Sequence, residues 1–182
     1  MKLLVSPHQD DAVLFAAYTL QREKPLVLTV YDSFIQVERG HKECTAIARR
    51  CEDLEAMNVL GCQVQFGGVP DTMGAEAAQR INTLLDEFEP EEVWLPAVEI
   101  GGHEHHNLVG LIGGRMFSMR ARIHRYLTYT RTGGKSTGGT EVQPTGAMVR
   151  RKLLALACYK TQLEIDALGC WPHFMDLREF AL

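Results

Sequence analysis

The sequence contains no run of 18 apolar residues, so no segment reads as a membrane-spanning helix. It has no CxxC pair. Its five cysteines (Cys44, Cys51, Cys62, Cys158 and Cys170) are odd in number and scattered, which argues against a disulfide framework and for a reducing, cytoplasmic setting. No signal peptide fits ahead of the polar run that begins at Ser6. Neither charge sign dominates: 19 Lys and Arg face 23 Asp and Glu, for a net charge of -4. That balance leaves no broad footprint for nucleic acid or acidic lipid. Nucleotide motifs are missing too. No GxGxxG follows the first apolar run, and Gly133-Gly134-Lys135-Ser136 is not a phosphate loop, because Tyr129 stands where GxxxxGK[ST] requires its first glycine.

What is present is ordinary globular composition, 46% apolar and 23% charged over 182 residues. This suits a single domain, 1–182, that buries a real core. Short apolar runs at 3–5, 25–31 and 92–98 read as strands, with Pro96 confined to a strand end or a bulge; 63–66 reads as a weaker strand and 123–130, which alternates partly, as a fifth. Segments 11–22, 43–60, 75–88, 107–119 and 148–168 read as helices, the fourth weakened by Gly110, Gly113 and Gly114. Residues 132–145 have neither period and read as a mobile segment, ordered only against a ligand or partner. Strand–helix alternation with long connections predicts an α/β fold: a mostly parallel sheet with helices on both faces. In such folds ligands bind at the carboxyl ends of the strands.

The chemically interesting residues do follow strands. His8, Asp10 and Asp11 follow the first, Asp32 the second, Asp71 the third, and His103-Glu104-His105-His106 the fourth. A His and an Asp three residues apart, joined by a His from a distant loop, can make a three-ligand zinc site with one open position. A second Asp beside it can take a proton from water. Bland readings compete with this one. Asp10 and Asp11 suit a helix cap, His8 a satisfied core position, and the histidine cluster an exposed turn. Arg49 and Glu52 suit a helix-face pair.

These motifs resemble those of the LmbE-like, or PIG-L, family of zinc-dependent N-acetylglucosaminyl de-N-acetylases. Ser6-Pro7-His8-Gln9-Asp10-Asp11-Ala12 matches the family's [AS]-P-H-x-D-D-[AE]. His103-Glu104-His105-His106 keeps the outer histidines of H-P-D-H. Arg49-Arg50-Cys51-Glu52 running to Leu60-Gly61, Val69-Pro70-Asp71, Tyr159-Lys160-Thr161-Gln162 and Arg178-Glu179-Phe180 match weaker family segments. The resemblance implies a Rossmann-like three-layer α/β/α sandwich and a Zn2+ cofactor. His8, Asp11 and His106 would be the ligands and Asp10 the general base. His103, protonated, would stabilise the oxyanion or assist the leaving amine, and Arg49 or Asp71 would shape the substrate site. It implies a small N-acetylated sugar or glycoconjugate as substrate, with acetate and a free amine as products. No nucleic-acid partner is implied, and a homo-oligomer is left open. The inner residues depart from the family. His105 cannot brace a neighbouring imidazole as a carboxylate would, so Glu104 or Asp71 takes that part, or His105 is itself a fourth ligand. An amidase or esterase acting on a non-sugar substrate and a non-catalytic zinc-binding interaction domain are the alternatives.

Overall fold

The computed structural model describes residues 1–32, 46–130, 134–166 and 176–182, with side chains through 163 in the third stretch. Five parallel strands form its centre: β1 (Lys2–Ser6), β2 (Leu26–Tyr31), β3 (Gln63–Val69), β4 (Glu92–Pro96) and β5 (Arg122–Tyr126). Two short strands, β6 (Thr140–Glu141) and β7 (Phe180–Ala181), complete a sheet ordered β3-β2-β1-β4-β5-β7-β6, and β7 runs antiparallel to both its neighbours. The helices are α1 (Asp11–Glu23), α2 (Ala46–Leu60), α3 (Ala75–Asp86), α4 (Glu104–Phe117), α5 (Gly146–Leu156) and α6 (Lys160–Asp166).

Residues of β1 are apolar in an unbroken run because both faces of the sheet are covered. Leu4 packs with α1, α2 and α5 on one face; Leu3 and Val5 pack with α3 and α4 on the other. The expected three-layer architecture is therefore the one observed. The strand order reverses direction at β1, so the chain leaves β1 for one face and leaves β4 for the other. A crevice opens between their carboxyl ends, and that switch point is where α/β sheets bind ligands.

The glycines of α4 are not simple weaknesses. A Cβ at Gly110 would lie 2.5 Å from the Pro96 carbonyl oxygen, and one at Gly113 would lie 2.8 Å from Leu95 Cδ2. Their absence lets α4 press its backbone onto β4, which sets its first turn, and the histidines there, over the crevice.

Several boundaries differ from the sequence reading. The segment 148–168 is two helices, broken at 157–159, because Glu52 accepts from the Thr161 backbone N–H at 2.8 Å and its hydroxyl at 2.6 Å. The described part of the Gly-rich segment is ordered against the body of the protein rather than free. Ser136 N–H donates to the Thr128 carbonyl, and Lys135 Nζ donates to the carbonyls of Leu14, Asp176 and Arg178. The expected start of the second helix at 43, and Cys44 and Cys170, lie outside the described residues; Cys51, Cys62 and Cys158 are free thiols. No helix among the described residues is long and apolar enough to cross a membrane.

Candidate metal and active site

The loop after β1 is held by its own backbone. Ser6 Oγ donates to the His8 carbonyl at 2.8 Å and accepts from the Ala12 N–H at 3.1 Å, while the Tyr31 N–H donates to the Pro7 carbonyl at 2.8 Å. Serine thus does the work of capping the start of α1. Asp10 occupies the N-cap position but its side chain makes no capping bond. The reading of Asp10 as a mere cap fails, and its carboxylate is left for other contacts. Arg49 Nη2 lies 3.3 Å from Asp10 Oδ1, and the Arg49 side chain is only 2% exposed. Glu52, spent on Thr161, makes no helix-face pair with Arg49 among the described contacts.

Asp11, at the first position of α1, points into the crevice. Its Oδ2 accepts from the His8 backbone N–H at 2.8 Å and lies 3.1 Å from His8 Nδ1 and 3.0 Å from His106 Nε2. The two ring nitrogens are 3.3 Å apart. Three donor atoms thus form a triangle with edges of 3.0–3.3 Å, and all three residues are buried. Tetrahedral zinc with bonds of ~2.0–2.1 Å places adjacent ligand atoms about 3.3 Å apart, so the donor set and its spacing fit such an ion. His106 is only 1% exposed. Its other nitrogen, Nδ1, meets Thr128 Oγ1 at 2.9 Å. That contact fixes which nitrogen faces the triangle.

His105 and Asp71 form a second layer. His105 Nδ1 lies 2.9 Å from His8 Nε2 and 2.9 Å from Asp71 Oδ1, and His8 Nε2 lies 3.8 Å from the same oxygen. Tyr31 stacks on the His105 ring at 4.4 Å. Of the two carboxylates expected to brace an imidazole, Glu104 and Asp71, Asp71 lies beside the rings of His105 and His8. His103 packs edge-on against His105 and Tyr129, and its Nδ1 is buried without a hydrogen-bond partner.

Electrostatics follow from this crowding. Burial disfavours charge on His8, yet the nearby carboxylates of Asp11 and Asp71 outweigh it and push the imidazole up to about 10. Asp11 is held well below the usual carboxylate range, since its contacts with His106 and His8 outweigh burial, and Asp71 is lowered by His105 and His8 in the same way. His103 moves oppositely: burial, then the charges of His8 and His106, pull it down to about 3. A cation in the triangle would disfavour the imidazolium further, so His103 offers a neutral ring.

Behind Arg49 lies a third layer that the sequence did not mark. Tyr159 Oη donates to Asp53 Oδ1 at 2.6 Å and Thr29 Oγ1 to Asp53 Oδ2 at 2.9 Å, and burial pushes Asp53 up to about 7. Arg50 is half-exposed and pairs with buried Asp32 at 2.7 Å. Buried polar atoms without aligned partners gather around these layers: Gln9 Oε1, Tyr31 Oη, Asp32 Oδ1, Arg49 Nε and Nη1, Asp71 Oδ1 and His103 Nδ1. Native proteins rarely leave such atoms unpaired away from functional sites.

Comparison with known proteins gives a family and a fold. The family model for PIG-L, GlcNAc-PI de-N-acetylase, matches residues 3–117. No curated protein sequence matches. Among solved structures, a deacetylase triple mutant of the teicoplanin biosynthetic pathway shares 23% identity, with TM-score 0.69 over 96% of this chain and 87% of that one. N,N'-diacetylchitobiose deacetylase from Pyrococcus horikoshii shares 19%, with TM-score 0.70 over 96% of this chain and 74% of that one. A 4-carboxy-2-hydroxymuconate hydratase from Pseudomonas putida shares 17%, with TM-score 0.68 over 96% of this chain and 83% of that one. At these identities the structures speak for the fold alone, and they carry more than one reaction.

Proposed function

The chain belongs to the PIG-L family, and from that premise we propose that it is a zinc-dependent de-N-acetylase that hydrolyses the acetamide of a small N-acetylated sugar or glycoconjugate, of the N-acetylglucosamine type. The observation that carries the reading is the His8–Asp11–His106 triangle with a second carboxylate, Asp10, next in sequence to Asp11 and paired with Arg49 but not spent on capping α1.

Amide hydrolysis needs an activated water, a polarised carbonyl and a proton for the departing nitrogen. A divalent ion held by His8 Nδ1, Asp11 Oδ2 and His106 Nε2 supplies Lewis acidity to the carbonyl and makes water acidic near neutral pH. Asp10 takes the proton from the attacking water, with Arg49 holding its carboxylate in place. As the C–N bond breaks, Asp10 returns that proton to the amine. His103 donates a ring N–H to the oxygen on which negative charge develops. Arg49 keeps two N–H-bearing nitrogens, Nε and Nη1, without partners, and Arg49 and Asp71 are assigned to shaping the substrate subsite.

The test is release of acetate and free amine from a panel of N-acetyl sugars, with and without a chelator. Activity should vanish on chelation and return with zinc. Asp10→Asn should lower turnover by about 10²–10⁴ while zinc stays bound. Turnover indifferent to the chelator, or retained in Asp10→Asn, overturns the reading. A second reading, a different water-dependent activity on a non-sugar substrate such as an amide or ester, is favoured by the fold's occurrence in a hydratase. It predicts metal dependence without acetate release from any sugar in the panel. A purely structural zinc domain would have no need of Asp10. The free thiols fit a cytoplasmic setting.

A further inference from the structure

Asp53 has no part in the chemistry described above, yet its carboxyl is held from two directions. Tyr159, in the turn between α5 and α6, donates to one oxygen at 2.6 Å, and Thr29 of β2 donates to the other at 2.9 Å. Asp53 lies one turn from Arg49 on the buried face of α2, and the two residues are 1% and 2% exposed. Arg49 in turn reaches across to Asp10 at 3.3 Å. A guanidinium buried to this degree needs full compensation. Asp10 alone does not give it, since Arg49 Nε and Nη1 have no hydrogen-bond partner. Glu52, another carboxylate on this face of α2, is held by Thr161. Among the described residues that leaves Asp53 to balance Arg49 when Asp10 is not charged.

We propose that Asp53 is a positioning residue for the hydrolysis: it shares the Arg49 guanidinium with Asp10 and loosens that pairing, so that Asp10 can take a proton from water. This deepens the function proposed above and rests on Asp10 being the base. Before the reaction Arg49 faces Asp10 as an anion. Once Asp10 holds the proton of the attacking water, Arg49 is a stranded buried cation unless another anion faces it. An ionised Asp53 is that anion. Asp53 keeps its own charge throughout, while the proton passes from water to Asp10 and on to the departing amine. With Asp53 neutral, Arg49 is balanced only while Asp10 stays charged, and proton transfer to Asp10 is opposed. Burial, with a smaller push from Asp10, raises Asp53 to about 7 against the pull of Tyr159, Thr29 and Arg49. Both states therefore occur near neutral pH.

The experiment has two arms, both on the full chain. In chelator-treated protein, difference infrared spectroscopy follows the protonated carboxyl band that Asp53→Asn removes. Its midpoint should fall by about one pH unit in Asp10→Asn, because Arg49 then serves Asp53 alone. In zinc-loaded protein, turnover of wild type is divided by that of Asp53→Asn at each pH, which cancels any other ionisation the two share. The ratio should be near one below about pH 6 and reach ~3–10 above about pH 8, with KM unchanged within about twofold. A ratio independent of pH shows that Asp53 only supports the fold and overturns the proposal. A midpoint unmoved in Asp10→Asn overturns it as well. Tyr159→Phe, which removes a donor to the ionised carboxyl, serves if Asp53→Asn misfolds. There the infrared midpoint and the pH at which turnover rises should both move up by about one unit, and either one staying in place overturns the proposal. If no sugar in the panel is hydrolysed, the catalytic role of Asp53 falls with the function proposed above, while the infrared arm still decides whether the two carboxyls share Arg49.

Discussion

Two groups of buried charged side chains among the described residues invite comparison. Beside the crevice, His8, Asp11 and His106 turn their donor atoms toward one another, and polar atoms without partners gather around them. On the far side of α1, Lys152 and Glu179 are 0% and 1% exposed and every neighbour is answered. Lys152 Nζ lies 2.8 Å from Glu179 Oε1 and donates to the Leu14 and Leu177 carbonyls, while both Glu179 oxygens accept from the Tyr18 N–H. In an unbroken helix that N–H would donate to the Leu14 carbonyl. Here α1 is kinked at Ala16, and the ion pair occupies the break. One cluster is closed by the protein itself; the other is built to be closed by something added. Burying charge without a partner is too costly to persist by accident, so the open cluster is the candidate functional site and the closed one has the character of architecture.

Removing one partner from the closed cluster should have the largest effect on stability. Lys152→Met strands Glu179, and Glu179→Leu strands Lys152; each should cost about 3–5 kcal/mol in urea unfolding. The double variant should be more stable than either single one, since the uncharged pair leaves no stranded ion and the Tyr18 N–H can return to the Leu14 carbonyl. Additive losses would show that the two residues act independently.

The open cluster should respond in the reverse sense. Wild type should gain about 3–4 kcal/mol from zinc at 100–1,000 times its dissociation constant, seen as a rise in Tm that a chelator reverses. Asp11→Asn and His106→Ala should lose that rise, His103→Ala should largely keep it, and none should suffer the apo-state penalty of a Lys152 variant. An equal zinc response in Asp11→Asn would erase the distinction between the two clusters.

Asp53 lies between these extremes, buried and hydrogen-bonded but not facing a contacting cation, and it sharpens the comparison through pH. Burial raises it from 3.8 to about 7 against the pull of Tyr159, Thr29 and Arg49. The folded state therefore holds a proton there that the unfolded state releases at lower pH. Stability from this group is full below about pH 4 and is lost as pH rises through about 7, by an amount on the order of 2–4 kcal/mol. Asp53→Asn should flatten the pH 4–7 slope of the unfolding free energy; an unchanged slope would place its origin elsewhere.

What could be read in advance follows the range of the forces involved. The strands β1, β2 and β4 were legible because double-faced burial writes continuous apolar runs, β3 and β5 only from weaker, partly alternating patterns, and the β1 and β4 loops because ligands gather at strand ends. His8, Asp10 and Asp11 sit in one short stretch, so their joint placement needed only one turn to be right. The break between α5 and α6 left no trace, since Ala157-Cys158-Tyr159 contains neither Gly nor Pro and the turn is imposed by Glu52 and Asp53 from another helix. Two-residue strands such as β6 and β7 are too short to show a period. Lys152 reads as a solvent-facing helix residue, because nothing nearby in sequence announces Glu179.

Thr128 is the most instructive omission, and altering it gives the smallest predicted effect. It is buried two residues beyond β5, at the carboxyl end of the sheet where functional groups collect, yet a lone threonine after a strand carries no chemical signature. Its hydroxyl meets His106 Nδ1 at 2.9 Å, so it sets the tautomer that turns Nε2 toward Asp11. Thr128→Val keeps the shape and removes that oxygen, leaving the ring free to rotate or exchange tautomers and to spend binding energy on being reoriented. Outer-sphere partners of metal-binding histidines are typically worth about 10–100-fold in affinity. Thr128→Val should therefore weaken zinc binding by about that factor while apo-protein stability falls by only ~1 kcal/mol. Thr128→Ser, which restores the hydroxyl, should recover most of the affinity. Weakening in both variants alike would assign the effect to packing against His106 and not to the hydrogen bond.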